Sequence, residues 1–274
     1  MKNLILSICI ILFFVSCSKD NIINPQLNSG ALLKSKTLYH SLTQSTTPLI
    51  TEYQYDSSNN LIKKSDFAGE DKHLSTYFTF EYNNNGQMIL RNFFSENFEN
   101  NDYEIIVKYE YEYSGEQLNS MTKFRKKADP ENEFYIHEIH SYNYNSDRLF
   151  EEIIDYEKTG SQSKYSFQYD ESGNLIKRTE HLFYSDDTFD YRCKYDGNNN
   201  KIEEKRYCNN DEREKTIFEY SGTRLDKATT ANEETIVREI TYLYDNGENL
   251  IQEKKEVKNP LSNEMPELIL YEYY

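Results

Sequence analysis

No apolar run in this 274-residue chain has the length of a membrane-spanning helix. The one extended stretch, Leu4 to Val15, holds about 12 residues where about 20 are needed. Positive charge is also scarce. Lys and Arg number 31 against 47 Asp and Glu, a net charge of −16. So acidic a chain is a poor partner for nucleic acid or for anionic lipid head groups. Tryptophan is absent. The five histidines, His40, His73, His137, His140 and His181, are scattered. His137 and His140 lie three apart in a strand-like run, which places them on opposite faces and unable to share a metal. There is no Cys/His cluster, no glycine-rich phosphate loop and no nucleophile elbow. Carboxylates are abundant, but nothing marks any two as a glycosidase pair. Asp186-Asp187 and Asn209-Asn210-Asp211-Glu212 could hold Ca²⁺ loosely or be solvated loops. The expectation is a non-enzyme without catalytic residues, metal or cofactor.

What is present begins with an address. Lys2, the apolar stretch and Phe14-Val15-Ser16-Cys17 read as a short secretory signal ending in a small residue and a cysteine. That ending resembles the lipobox of bacterial lipoproteins, with Phe14 where leucine is usual. The resemblance implies cleavage before Cys17 and acylation of Cys17, and several acyl chains anchor firmly. The expected organisation is a signal peptide at 1–16, a lipidated cysteine and flexible tether at 17–33, and one repeat domain at 34–274. Losing residues 1–16 with Lys2 takes the net charge from −16 to −17. The expected location is the bacterial cell envelope, lipid-anchored to the outer membrane, on either its periplasmic or its surface face.

Tyrosine, with 25 copies, is the framework residue. Eight tyrosines, Tyr55, Tyr82, Tyr113, Tyr144, Tyr169, Tyr195, Tyr220 and Tyr244, each close an alternating run and open a polar turn. In Ile105–Tyr113 one face is Ile, Val, Tyr, Tyr, Tyr and the other Ile, Lys, Glu, Glu, the period of a half-buried strand. The Asp, Asn, Ser and Gly that follow each anchor tolerate the left-handed backbone of a tight hairpin. A second strand opens with Leu-Ile or an equivalent. Each unit is therefore strand, turn, strand, and the tandem copies predict an all-β protein of 16–18 antiparallel strands in one curled or barrel-like sheet. Leu268–Tyr274 reads as a ninth first strand, and Leu38–Leu42 as a candidate strand at the start. Charge on both faces of Lys201–Arg206 and Ile251–Glu256 argues against a lipid-facing wall.

The core Tyr169-Asp170-Glu171-Ser172-Gly173-Asn174-Leu175 resembles the YD repeat of RHS-type proteins. Tyr55-Asp56 with Asn60-Leu61, and Tyr244-Asp245 with Asn249-Leu250, are less complete copies. The resemblance implies a coiling β-strip over roughly residues 35–274. Large RHS proteins wind many such units into a shell around a toxin. Eight units are expected to be too few for a closed shell, so that function does not carry over. The chain is also similar to small bacterial envelope lipoproteins of unknown function built from the same hairpins, some with a porin-like sheet.

Two expectations concern sites. Cys193 and Cys208 flank one turn and could pair in an oxidising envelope or remain free thiols. A loop at Gly197–Asn200 pairs residues summing to 397, and 193 + 208 = 401, about four residues out of register. The near-uniform turns fall on one rim, so length variation collects on the other, at Ser95–Asp102, Arg125–Glu133, Asn209–Arg213, Ala228–Glu234 and Lys258–Pro266. Variable polar loops on one edge suit binding of a glycan, peptide or protein partner. The alternatives are a carrier of lipid or hydrophobic ligand inside a curled sheet and, third, a glycan-active enzyme.

Overall fold

Alternation along each segment resolves into strands in a computed structural model that describes residues 31–42, 44, 46–97, 102–127, 133–233, 235–259 and 264–274. The first nine strands are β1 (Leu33–Tyr39), β2 (Leu49–Tyr55), β3 (Leu61–Ala68), β4 (His73–Tyr82), β5 (Met88–Asn97), β6 (Asp102–Ser114), β7 (Gln117–Lys126), β8 (Phe134–Asn145) and β9 (Arg148–Tyr156). The second nine are β10 (Ser161–Tyr169), β11 (Leu175–His181), β12 (Thr188–Tyr195), β13 (Lys201–Cys208), β14 (Asp211–Ser221), β15 (Arg224–Asn232), β16 (Thr235–Tyr244), β17 (Leu250–Val257) and β18 (Glu267–Tyr273). Cys17 and the whole of 1–30 lie outside the described residues.

Every strand pairs antiparallel with its predecessor and successor, and β1 pairs with β18 over Leu33–Tyr39 and Leu268–Tyr273. The meander therefore closes into an 18-stranded barrel with no free edge. Eight hairpin units with β1 and β18 are enough to close a ring, the barrel-like form of the curled or barrel-like sheet that the repeat predicts. The start is corrected: β1 opens at Leu33, within the expected tether, and not at Leu38. Tyr273 takes the ninth anchor position in β18.

The anchor face is the concave one. The residue just before each anchor, from Gln54 and Glu81 to Glu219 and Leu243, is exposed. On the anchor face Tyr53, Leu61, Phe80, Tyr111, Met121, Ile154, Cys193 and Ala228 are buried. Leu33, Tyr53, Leu61 and Phe80 form the centre of one apolar cluster, with Tyr55, Phe78, Tyr82, Met88, Tyr271 and Tyr273 packed on it. Among the described strands, Cα atoms come within 8 Å only between ladder neighbours. Eighteen strands about 4.8 Å apart, tilted by about 40°, would enclose a ring about 35 Å across if circular.

The two rims differ as the sequence pattern predicts. The turn rim holds hairpin turns of two or five residues, and the variable rim connections of two to nine residues. Strands reach further into those connections than expected: β15 runs to Asn232, and β13 and β14 leave only Asn209 and Asn210 between them. Parts of the segments 95–102, 125–133, 228–234 and 258–266 lie outside the described residues. The outer wall carries ion pairs at mid-strand, including Lys177–Asp190 at 3.1 Å, Lys194–Glu203 at 2.7 Å, Lys215–Glu203 at 3.2 Å and Lys227–Glu239 at 2.6 Å.

Candidate functional site: the inner wall and the variable rim

The anchors are structural staples. In six of the nine anchor positions the hydroxyl donates to a carbonyl at the start of the preceding return strand. Tyr82 donates to Leu61 O at 2.9 Å, Tyr113 to Met88 O at 3.0 Å and Tyr195 to Leu175 O at 3.0 Å. Tyr220 donates to Lys201 O and Tyr244 to Leu225 O, both at 3.0 Å, and Tyr273 to Leu250 O at 2.7 Å. Burial raises the hydroxyl pKa of Tyr55 and Tyr273 to about 12 and raises those of Tyr82, Tyr113, Tyr144, Tyr220 and Tyr244. Phenols held neutral in this way remain donors.

The aspartate of the repeat closes the turn. Asp196 Oδ1 accepts from the backbone N of Asn198 and of Asn200, and its Oδ2 accepts from the Asn200 side chain at 3.0 Å. Asp56, Asp170 and Asp245 bind the asparagine four residues on in the same manner. These hydrogen bonds hold all four carboxyls below the usual aspartate pKa. The residue before that asparagine has positive φ, +88° at Gly173 and +65° at Glu248, which explains the glycine in the fullest copy of the motif.

The structure brings together residues that period-two counting separates. A bulge in β8 skips His137 in the pairing with β7, so His137, Glu138 and His140 share the inner face. The expectation that His137 and His140 face opposite sides is thereby corrected. His140 Nδ1 lies 2.8 Å from Glu152 and its Nε2 3.3 Å from Glu138, while Lys123 Nζ and His137 Nδ1 each lie 2.9 Å from Glu138. Burial opposes the charge on Glu138, but His140 and Lys123 overcome it and hold its pKa at about 2. Burial likewise opposes protonation of His140, yet Glu138 and Glu152 raise its pKa. Among the described residues no group of three is disposed to hold a metal ion. Asp187 Oδ1 instead accepts from Asn209, and Glu212 pairs with Lys205.

Neither Cys193 nor Cys208 is in a disulfide. Cys193 pairs with Glu204 and Cys208 with Phe189, sums of 397, so the four-residue mismatch keeps them apart.

The variable rim has one feature that the sequence pattern missed. The β11–β12 connection folds inward across β10. Phe183 N donates to Ser163 Oγ at 3.1 Å, and Ser163 is fully buried. The Phe183 ring lies 4.4 Å from that of Tyr156 and 5.2 Å, at 85°, from that of Tyr184. Both loop rings remain exposed, Tyr184 at 67%. The signal available was a Phe-Tyr pair outside the tyrosine period.

No family model matches this chain. None of the curated proteins searched matches it either. Solved structures do. A porin-like protein from Bacteroides uniformis aligns over 88% of this chain and 98% of its own, at 10% identity and a TM-score of 0.47. The TcdB2-TccC3 structure aligns over 86% of this chain at 14% identity and a TM-score of 0.45, and the chain spans 14% of that protein's length. A protein of unknown function from Bacteroides fragilis aligns over 47% of this chain and 90% of its own, at 17% identity and a TM-score of 0.29.

Proposed function

We propose that this chain is a non-catalytic, lipid-anchored envelope protein that binds a partner or ligand through the variable rim of its barrel. The observation that carries this reading is the polarity of the two rims. β1 enters at the turn rim, where Leu33 faces Tyr273. In this reading a tether from Cys17 joins the barrel at the turn rim and leaves the variable loops at the opposite end. The ion-paired outer wall supports an anchored barrel over a spanning one, because a lysine at the bilayer midplane costs about 2–4 kcal/mol. The inner wall supports polar or amphipathic ligands over lipid. Arg91, Glu138, Glu152, Arg178, Glu180 and Glu253 stand there among the tyrosines. That mixture weakens the hydrophobic-carrier alternative.

Photo-crosslinkers placed singly on the two rims test the reading in intact envelopes. Capture from Asn210 and Met265 on the variable rim, with none from Ser172 or Asn198 on the turn rim, is the expected result. Capture confined to the turn rim contradicts it.

A further inference from the structure

We infer that the inward-folded β11–β12 loop is a docking site for a cationic polypeptide segment, seated on Phe183 and Tyr184 at the acidic mouth of the barrel. The inference rests on the variable rim being the binding end and names the chemistry of its partner.

Three observations carry it. First, the aromatic pair is held in place although exposed. Its backbone is tied to Ser163, and Phe183 packs on Tyr156, so little ordering cost remains on binding.

Second, the pair has no cation of its own. Several other rings are covered from within: Lys63 over Tyr77 at 4.4 Å, Arg91 over Tyr109 at 3.8 Å, Arg178 over Tyr191 and Arg192 over Tyr207, both at 4.2 Å. Among the described residues no lysine or arginine lies over Tyr156, Phe183 or Tyr184. A guanidinium or ammonium group from a partner would meet an uncovered ring face.

Third, the flank is acidic and uncompensated. Asp186 and Asp187 follow the pair in the β11–β12 connection, Asp187 accepts from Asn209 of the β13–β14 turn, and Asp211 opens β14 next to that turn; none of the three forms an ion pair with a described residue. Lys158 lies in the β9–β10 connection and Arg213 near the start of β14. The chain as a whole carries −16. That field repels a second copy of this chain, an anionic glycan and an anionic lipid surface, and it draws in a basic segment.

Binding of the full chain to a Lys/Leu peptide and to its Glu/Leu counterpart, at low and high salt, is the test. The Lys/Leu peptide is expected to bind, more weakly at high salt, and the Glu/Leu peptide not to bind. Replacing both rings, Phe183→Ala with Tyr184→Ala, is expected to weaken binding by about tenfold. Asp186→Asn with Asp187→Asn is expected to flatten the salt dependence. Tyr77→Ala, on the outer wall, is expected to change nothing. Binding that is equal for the two peptides, or unmoved by the Phe183/Tyr184 double replacement, overturns the inference. So does binding to neutral oligosaccharides with none to the Lys/Leu peptide. Capture at Asn210 and Met265 would still stand in those cases, so the rim reading is judged separately.

Discussion

A tyrosine hydroxyl and a backbone carbonyl are the smallest units of this architecture. The anchor ring covers the apolar start of the neighbouring hairpin, and its hydroxyl satisfies an oxygen that would otherwise lie beneath that ring. Tyr220→Phe keeps the ring and removes only the donor to Lys201 O. The expected cost is about 1 kcal/mol, the net worth of one such bond plus the penalty of a stranded acceptor. Urea denaturation measures it, and Tyr184→Phe, whose ring is exposed, is the matched control with no loss. The anchors were legible in the sequence because a repeated residue at a repeated place in a strand marks a shared task. Their hydroxyl partners were not, because those lie across a ladder whose bulges cannot be counted from the sequence.

Those bulges dominate at the level of the element. Each return strand slips by one residue beside its anchor, as between Lys194 and Tyr195 or Leu243 and Tyr244. The register sum of 397 at β12–β13 was readable from the turn and holds along the strand body. A bulge inside β8 was not readable, and it decides which side chains meet. The His140 cluster it assembles ties β8 to β9 and has a defined pH dependence. His140 has a folded pKa above its unfolded value of about 6.5, so its contribution is complete below that pH and fades as pH climbs through the folded value. Glu138 has a folded pKa of about 2 against an ordinary 4.5, so its contribution is complete above 4.5 and is lost as pH falls toward 2. Their joint stabilisation is greatest between about pH 4.5 and 6.5. Lys123, Arg125, His137, Glu152 and Tyr156 face the same cluster and modulate both limbs. His140→Gln is expected to remove the decline in Tm on the alkaline side, followed by thermal melts from acid to mildly alkaline pH. A decline as steep as in the parent protein would assign it to other groups.

Closure is the property of the whole molecule from which the rest follows. It removes the two edge strands that a long meander would otherwise expose. It also separates an inner wall from an outer one and gives the barrel two unlike rims. The number of strands and their alternation could be read from the period of the repeat. Ring closure could not, because it depends on twist and bulge angles summed over 18 strands. The inward fold of the β11–β12 loop escaped for a related reason, since Ser163 and Phe183 meet only after β9, β10 and β11 are in place.

The β1–β18 seam is where closure is tested most directly. Thr37 and Leu270 are ladder partners there, at opposite ends of the domain sequence. With Cys193 and Cys208 replaced by serine, the pair Thr37→Cys and Leu270→Cys is expected to form an intramolecular disulfide in high yield under mild oxidation. Mass spectrometry of the digested monomer reads it as a cross-linked peptide joining the β1 and β18 segments. Failure to cross-link, or cross-links only between molecules, would mean that the strip is open and would contradict the barrel.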